Sequence, residues 1–386
     1  MFSEGFKKIN SRARFIKSVS GLLVLSVLSA NVNAESVAVH RYLVKPNQSL
    51  SEINVTVCFT GRPDFNLVAE SLDASLAYVS GKVKSSGESL KPSGEISLKK
   101  LKADDCFSYL VDISRPIMAH DARPMTIKRI GGDVVTVEGI WLWRPKRLPL
   151  DHEVEIIFDL PTGVGVSVPW SRAVSDNPFH FLLEETPYEW PAFIAFGNFK
   201  EEKIVIDRSV LRVTILESQR KVDFQSSIMQ GIEIAARLVR SVTGSFPADD
   251  LQVLVEPGAY GPNPIAVGYV SRGGKPAVHL HINERKHDFF SHDSTILHEF
   301  AHLLLPKVRD EDSWLTEGLA TYYEYILAAR SGHKSVRQTL DIFTKNFERA
   351  RLSVPEASLL DISKNRAFAF GRDKIYWGGA AIFFAA

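Results

Sequence analysis

The spacing of hydrophobic and polar residues changes near the middle of the chain. Up to about Trp190, short apolar runs alternate with polar residues, and turns rich in Gly, Pro, Ser and Asp separate them. This period of two predicts β-strands, and no helical period is sustained there. The predicted strands cover Val37 to Val44, Glu52 to Phe59, Cys106 to Ile113, Asp133 to Trp143, Glu153 to Leu160 and His180 to Leu183. Repeated short strands of this kind predict a β-sandwich-like domain over residues 35–190.

After residue 190 the pattern is mixed. Apolar residues recur at helical spacing between Phe224 and Val242, and further strands are predicted at residues 203–206, 210–216 and 251–255. Some 350 residues are too many for one typical core, so a second domain is predicted over residues 191–386. The fold class is therefore α+β. The apolar end, Ala380 to Ala386, has no helix stop signal and indicates a C-terminal truncation.

The first 34 residues have the composition of an export signal. Basic residues between Lys7 and Lys17 precede an apolar stretch, Val19 to Ala30, that is too short to span a bilayer comfortably. The small residues of Val32 to Ala34 then form a cleavage site. The sequence predicts an exported protein, periplasmic or secreted, that begins at Glu35. No later apolar run reaches the length of a membrane span, so no transmembrane segment is predicted in the mature chain.

The charge of the chain bears on its partners, and its two cysteines bear on whether a disulfide forms. Removing the signal would change the formal charge from +1 to −3, because five bases and one acid leave with it. This balance and the lack of a basic stripe argue against nucleic acid as a partner. In an oxidising compartment Cys58 and Cys106 can form a disulfide, although two buried thiols on different strands remain the alternative.

A short motif points to metal chemistry. His298 and His302 are four residues apart, so on a helix their rings share one face, with Glu299 beside them. Two imidazoles at this spacing bind zinc in the zincin enzymes, and the adjacent carboxylate handles the proton of the attacking water. Pro306 marks the end of this helix. A second helix is predicted from Ser313 to about Arg330.

The second helix carries the predicted third ligand. Two helices joined by a short loop pack antiparallel, which can place Glu317 opposite His298 and His302. Three protein ligands leave a position open for water, as in catalytic zinc sites. Thr321, one turn further on, is a candidate to hydrogen-bond one of the metal ligands, or else bonds back to a helix carbonyl. Glu324 shares this face and is interpreted as a solvated charge.

These segments resemble the gluzincin zinc metallopeptidases. The resemblance is strongest to the glycyl aminopeptidase family and more distant to the aminopeptidase N family. The residues that match the second motif are Glu317, Gly318, Ala320, Thr321 and Tyr322. The spacer between His302 and Glu317 is fourteen residues here, against about eighteen in the aminopeptidase N pattern. The resemblance implies a β domain ahead of a thermolysin-like zincin catalytic domain, Zn²⁺ as cofactor and a peptide or protein as substrate.

The resemblance also implies roles outside the zinc motif. Tyr376 lies in a Tyr-x-x-Gly segment in which a tyrosine hydroxyl supports the oxyanion, although a core aromatic is the alternative. Gly273 and Gly274 lead into a strand, Ala277 to Ile282, at about the place of the substrate-binding edge strand. The two glycines are therefore predicted to bind substrate. His279 and His281, on one face of this strand, are predicted to line a cleft or a solvated surface.

Three functions are compatible with these residues. The first is an exported zinc peptidase, of aminopeptidase or endopeptidase type, with Glu299 as general base. The second is a non-catalytic exported module that keeps a peptidase fold and binds peptides or proteins. The third keeps zinc in a purely structural role, in which case its removal would unfold the domain.

Overall fold

The computed structural model describes residues 38–90, 94–115, 127–149, 151–218, 224–286, 294–364 and 368–386. The predicted export signal in residues 1–34 lies outside these ranges. Within the described part, no helix combines the length and the apolar character needed to cross a membrane.

Strands dominate the first half, as predicted. They are β1 (Ala38–Pro46), β2 (Glu52–Phe59), β3 (Asn66–Val68), β4 (Tyr78–Val83), β5 (Glu95–Ser97), β6 (Cys106–Asp112), β7 (Ile127–Ile130), β8 (Asp133–Val137), β9 (His152–Phe158), β10 (Gly165–Ser167), β11 (Ser171–Arg172), β12 (His180–Leu182) and β13 (Phe193–Gly197), with one short helix, α1 (Leu72–Ala77). Seven strands form a sheet in the order β11-β12-β9-β1-β2-β6-β4, four form a second sheet in the order β10-β13-β8-β7, and β3 pairs with β5.

Both large sheets bury side chains in one hydrophobic cluster, which agrees with the sandwich-like prediction. Its largest members, Trp141, Trp143 and Trp170, are completely buried. The four-stranded sheet also buries its other face. Every residue of β8 and β13 is buried, because these strands lie between the first cluster and a smaller one that includes Leu254 and Tyr269 of the second half.

A disulfide joins two neighbouring strands of the larger sheet. Cys58 on β2 and Cys106 on β6 are direct cross-strand partners with a Cα–Cα distance of 4.1 Å. The sequence did not decide between a disulfide and two free thiols, and in the structure Cys58 and Cys106 form a disulfide. A closed loop of this length stabilises the folded chain by about 4 kcal/mol in the chain-entropy model.

The second half surrounds a mixed five-stranded sheet. Its strands are β14 (Glu201–Ile206), β15 (Ser209–Ile215), β16 (Asp250–Pro257), β17 (Ile265–Ser271) and β18 (Ala277–Ile282), in the order β14-β15-β16-β18-β17. Its helices are α2 (Phe224–Thr243), α3 (Thr295–Ala301), α4 (Ser313–Arg330), α5 (Val336–Leu352), α6 (Leu359–Lys364), α7 (Phe368–Asp373) and α8 (Gly379–Ala385). The α+β class is confirmed. Because residues 37–386 form one compact unit, a domain boundary at residue 190 stays a prediction.

The predicted edge strand is not at the edge. β18 lies between β16 and β17, so β17 is the outermost strand on this side of the sheet. His279 is completely buried, with Tyr269 stacked on its ring at 4.4 Å and Phe193 edge-on at 4.7 Å. The prediction of a cleft or solvated position is therefore wrong for His279. His281 keeps 22% of its side chain exposed.

Candidate metal centre

Two helices carry the predicted metal ligands. His298 and Glu299 lie on α3, and His302 follows in a tighter 3-10 turn, His302–Leu304. His302 keeps helical backbone angles, so the i, i+4 relation between the two histidines is preserved. Glu317 lies near the start of α4, which runs over the predicted residues 313–330.

The side chains of these three residues converge. Their ligand atoms all lie within 4.8 Å of one another. Nε2 of His298 is 3.2 Å from Oε2 of Glu317, and Nε2 of His302 is 3.6 Å from the same oxygen. Donor atoms bound tetrahedrally to one zinc ion are about 3.4 Å apart, given zinc–ligand bonds of roughly 2.0–2.2 Å. Both the donor set and its spacing therefore fit zinc.

Burial and mutual pairing set the charges of the ligands. Burial would lower the pKa of His298, but hydrogen bonds with the Glu317 and Glu324 carboxylates raise it well above its usual value. Burial would raise the pKa of Glu317, yet the hydrogen bond from His298 holds it at about 2. Burial lowers the pKa of His302 to about 4. At neutral pH Glu317 is thus an anion and His302 a neutral imidazole, the forms that bind a metal ion, whereas His298 carries a proton that a metal ion would displace.

Glu299 lies buried beside the ligands, only 5% exposed. Burial raises the pKa of Glu299 to about 8. The carboxylates of Glu317 and Glu324 also raise this pKa, whereas His298 lowers it. A carboxyl group with a pKa near neutrality suits proton transfer.

The edge strand β17 packs directly against Glu299. A Cβ built on Gly268 would lie 2.4 Å from Cγ of Glu299, so only glycine fits at this point of the strand. The sequence analysis missed Gly268. A glycine inside a strand pattern indicates that another group approaches the backbone closely, but the sequence does not identify that group.

The structure corrects the sequence-based interpretation of Glu324. Its side chain is only 14% exposed, and its Oε2 is 3.1 Å from Nδ1 of His298. Its other oxygen accepts a hydrogen bond of 2.5 Å from Ser294. The interpretation as a solvated charge is wrong, because α3 packs across this face of α4. A carboxylate on the second ring nitrogen fixes the orientation and tautomer of a metal-binding histidine.

Tyr376 also lies within the centre. Its ring stacks on that of His298, with centroids 5.7 Å apart and an interplanar angle of 12°. Its hydroxyl donates a hydrogen bond to the Glu317 carboxylate. It belongs to a π-helical segment, Lys374–Gly378, a helix type that is often found at functional sites. The structure therefore places Tyr376 at the site, and its oxyanion role stays a prediction.

A close contact between two glycines brings Tyr376 to Glu317. A Cβ on Gly318 would lie 2.6 Å from Cα of Gly379, so α4 and α8 touch along their backbones. Gly318 directly follows Glu317, and Gly379 follows the segment that carries Tyr376. The family motif includes Gly318, but the sequence does not name its partner.

The other predicted residues have different surroundings. Thr321 is buried, and its Oγ1 has no hydrogen-bond partner among the residues that the structure describes. It therefore shows neither the predicted bond to a ligand nor the bond back to a carbonyl. Gly273 packs against the backbone of Pro191 and Ala192, and Gly274 against Pro169. This close packing explains why glycine occupies both positions. The predicted substrate-binding role of Gly273 and Gly274 stays a prediction.

Arg272 joins the strand side of the site to the helix side. Its guanidinium donates hydrogen bonds of 3.0 and 2.8 Å to the carbonyl oxygens of His302 and Leu305. These carbonyls end the helical segment that carries both histidines. A cation at a helix C-terminus satisfies the last carbonyls and complements the helix dipole, so Arg272 steadies His302 through the backbone.

Comparisons with known proteins identify the fold. No family model and no curated protein matches the chain. A crystal structure of an aminopeptidase N family protein from Idiomarina loihiensis aligns with a TM-score of 0.61 at 14% identity and covers 89% of this chain. The chain shares that fold. It spans 65% of the length of the Idiomarina protein.

A second solved structure is similar over the same share of the chain. The M1 zinc metallopeptidase from Deinococcus radiodurans aligns with a TM-score of 0.48 at 15% identity, covering 89% of this chain and 79% of the other. The fold assignment rests on the Idiomarina protein. At the level of the fold it confirms the resemblance to the gluzincin metallopeptidases.

Proposed function

We propose that this protein is a zinc-dependent peptidase that hydrolyses peptide bonds with Glu299 as general base. The observation that carries the proposal is the convergence of His298, His302 and Glu317 beside a buried Glu299. The fold shared with an aminopeptidase N family protein supports it. A structural zinc site would not need a proton-accepting carboxyl group against the ligands, whereas a hydrolytic site does.

The residues of the centre divide the chemistry among them. His298, His302 and Glu317 would hold Zn²⁺, which supplies Lewis acidity to the attacking water and the scissile carbonyl. Glu299 accepts the proton of the water on its carboxylate and transfers it to the leaving amine nitrogen. The Tyr376 hydroxyl, which is bonded to Glu317 in this structure, turns to donate to the developing oxyanion. Glu324 holds His298 in one orientation throughout.

The edge strand β17 would align the substrate. Within the described residues β17 pairs only with β18, which leaves its outer side open to an extended peptide. Main-chain pairing along an edge strand gives affinity without selecting a side chain. Because Gly268 brings this strand against Glu299, a paired peptide would run past the general base. The proposed reaction is either N-terminal trimming or internal cleavage.

Export is part of the proposal. The predicted signal in residues 1–34 and the Cys58–Cys106 disulfide both suit an oxidising compartment outside the cytoplasm. Mass spectrometry of the protein recovered from the periplasm or the medium should find an N-terminus at Glu35. A protein that keeps residues 1–34 and stays with the cytoplasmic fraction would contradict export.

The decisive test is cleavage of a mixed peptide library by the mature, zinc-loaded protein. Glu299→Gln tests the base, and Glu311→Gln, which changes a carboxylate in the loop before α4, serves as the matched control. We expect cuts with the wild type and Glu311→Gln and none with Glu299→Gln, although all three bind one zinc. Peptide binding without cuts by the wild type would instead establish the non-catalytic binding module. The positions of the cuts distinguish an aminopeptidase from an endopeptidase.

A further inference from the structure

Arg372 lies beside the centre without a role in the proposed chemistry. It is exposed and stands one helical turn before Tyr376. The carbon of its guanidinium lies 5.1 Å from the centroid of the Tyr376 ring, within cation–π distance. Since Tyr376 bonds Glu317 and stacks on His298, Arg372 presents a positive charge at the catalytic tyrosine.

Three other charged groups around the centre already have partners. Glu317 contacts both histidines, and Glu324 is bound by His298 and Ser294. The second cation that acts on the centre, Arg272, donates to two helix carbonyls. Arg372, by contrast, has no carboxylate partner in the described part of the chain. Among the cations described at the centre, Arg372 is therefore available to a substrate.

We propose that Arg372 binds a carboxylate of the peptide substrate close to the scissile bond and so makes this a peptidase of acidic or carboxy-terminal peptide segments. A guanidinium is suited to this task, because its planar fork binds a carboxylate with two parallel hydrogen bonds. The guanidinium lies over the face of the Tyr376 ring, which makes no conventional hydrogen bonds to its N–H groups. This inference rests on the proposed peptidase function.

The carboxylate can come from an acidic side chain or from a free C-terminus. Four peptides of one sequence, each with a free N-terminus, separate these sources: Ala-Ala-Phe-Ala-Glu-Ala and its Gln counterpart, each with a free and with an amidated C-terminus. For each peptide, kcat and KM are measured with the wild type, Arg372→Gln, Arg372→Lys and Arg372→Glu. Arg172→Gln is the matched control, because that guanidinium lies 5.3 Å from the Phe181 ring in the first half of the chain.

We expect the wild type to prefer one of the two carboxylates by about tenfold in kcat/KM, the effect of one charge-assisted pair. The preference should be expressed in KM, disappear in Arg372→Gln, return in part in Arg372→Lys and reverse in Arg372→Glu. Arg172→Gln should keep the wild-type preference. An unchanged ratio of carboxylate to neutral peptides in Arg372→Gln would overturn the inference.

Binding measurements keep the inference separate from the peptidase proposal. The same peptides are titrated calorimetrically into the zinc-loaded Glu299→Gln protein, with and without Arg372→Gln. A carboxylate-dependent Kd that weakens about tenfold on loss of Arg372 supports the inference even if no peptide is cleaved. Equal Kd values for all four peptides overturn it even if the wild type is an active peptidase.

Discussion

Two buried carboxyl groups, Asp133 in the β region and Glu299 in the metal centre, show how differently one chain uses the same chemical group. Asp133 is 2% exposed and Glu299 is 5% exposed, and burial raises the pKa of both. Asp133 accepts hydrogen bonds from two backbone N–H groups, those of Asn198 and Glu217, at 3.0 and 2.6 Å. Among the groups that shift its pKa, Asp133 has one titratable side chain, Glu217, whereas Glu299 has three, His298, Glu317 and Glu324.

This difference separates structural from chemical roles better than the pKa does. Asp133 accepts hydrogen bonds from the backbone of two segments that are distant in sequence, and so it holds these segments together. The imidazole of His298 lowers the pKa of Glu299, and the carboxylates of Glu317 and Glu324 raise it. A buried acid is therefore a candidate for catalysis when several titratable side chains surround it, and a structural element when backbone amides bind both of its oxygens.

The strongest test of this comparison replaces each acid by its amide. Glu299→Gln should lower kcat by about 10⁴-fold, the upper range for loss of a general base, and keep one bound zinc. Asp133→Asn should retain kcat and lose about 1–3 kcal/mol of unfolding free energy, because one buried N–H loses its acceptor. Peptide hydrolysis, zinc analysis and urea unfolding measure these three quantities. A comparable loss of kcat in Asp133→Asn would remove the distinction.

The disulfide tests whether the β region affects stability alone. Replacing Cys58 and Cys106 together by serine should lower the unfolding free energy by up to about 4 kcal/mol, because the unfolded chain regains the freedom of the closed loop. The kcat of the folded fraction should not change, since the disulfide lies on β2 and β6. Urea unfolding and hydrolysis at low temperature give the two values. A fall in kcat at full folding would show that the β region shapes the active centre.

Glu324 tests the opposite case, a carboxylate whose partner is a metal ligand. Glu324→Gln should weaken zinc binding by 10- to 100-fold, which is typical when the group that orients a metal-binding histidine is lost. Competition with a chelator of known affinity measures the change. Glu311→Gln on the exposed loop is the control and should bind zinc like the wild type. Equal zinc affinity in Glu324→Gln would restore its interpretation as a solvated charge.

The parts of the molecule that depend on short-range spacing were predictable from the sequence. Period two identified six of the thirteen strands that are described in the first half, and the i, i+4 spacing of His298 and His302 with a second predicted helix brought out the centre. Both patterns involve residues that are close to one another in the sequence. The convergence of Glu317 needed only the antiparallel packing of two adjacent helices.

Contacts between distant segments were not predictable. The position of β17 at the sheet edge depends on strand order, which the sequence pattern does not give. The burial of His279 requires Tyr269 and Phe193 to cover it from two other strands. Glu324 was misread for the same reason, because only the crossing of α3 over α4 turns an apparently polar face into a buried one.

The glycine contact between α4 and α8 offers the smallest and most local test of how packing sets the chemistry. In Gly318→Ala the added Cβ would lie 2.6 Å from Cα of Gly379, so the two helices must separate. We expect a loss of about 1–3 kcal/mol in unfolding free energy, typical of overpacking. We also expect roughly a tenfold lower kcat, because misplacing the Tyr376 donor weakens its support of the oxyanion. Gly378→Ala is the matched control, since its Cβ would meet the flexible end of Leu359 at 3.3 Å and Cγ of Lys374 at 3.6 Å. If Gly318→Ala lost stability but kept its kcat, the helix contact would belong with Asp133 among the structural features, and the placement of Tyr376 would not limit the reaction.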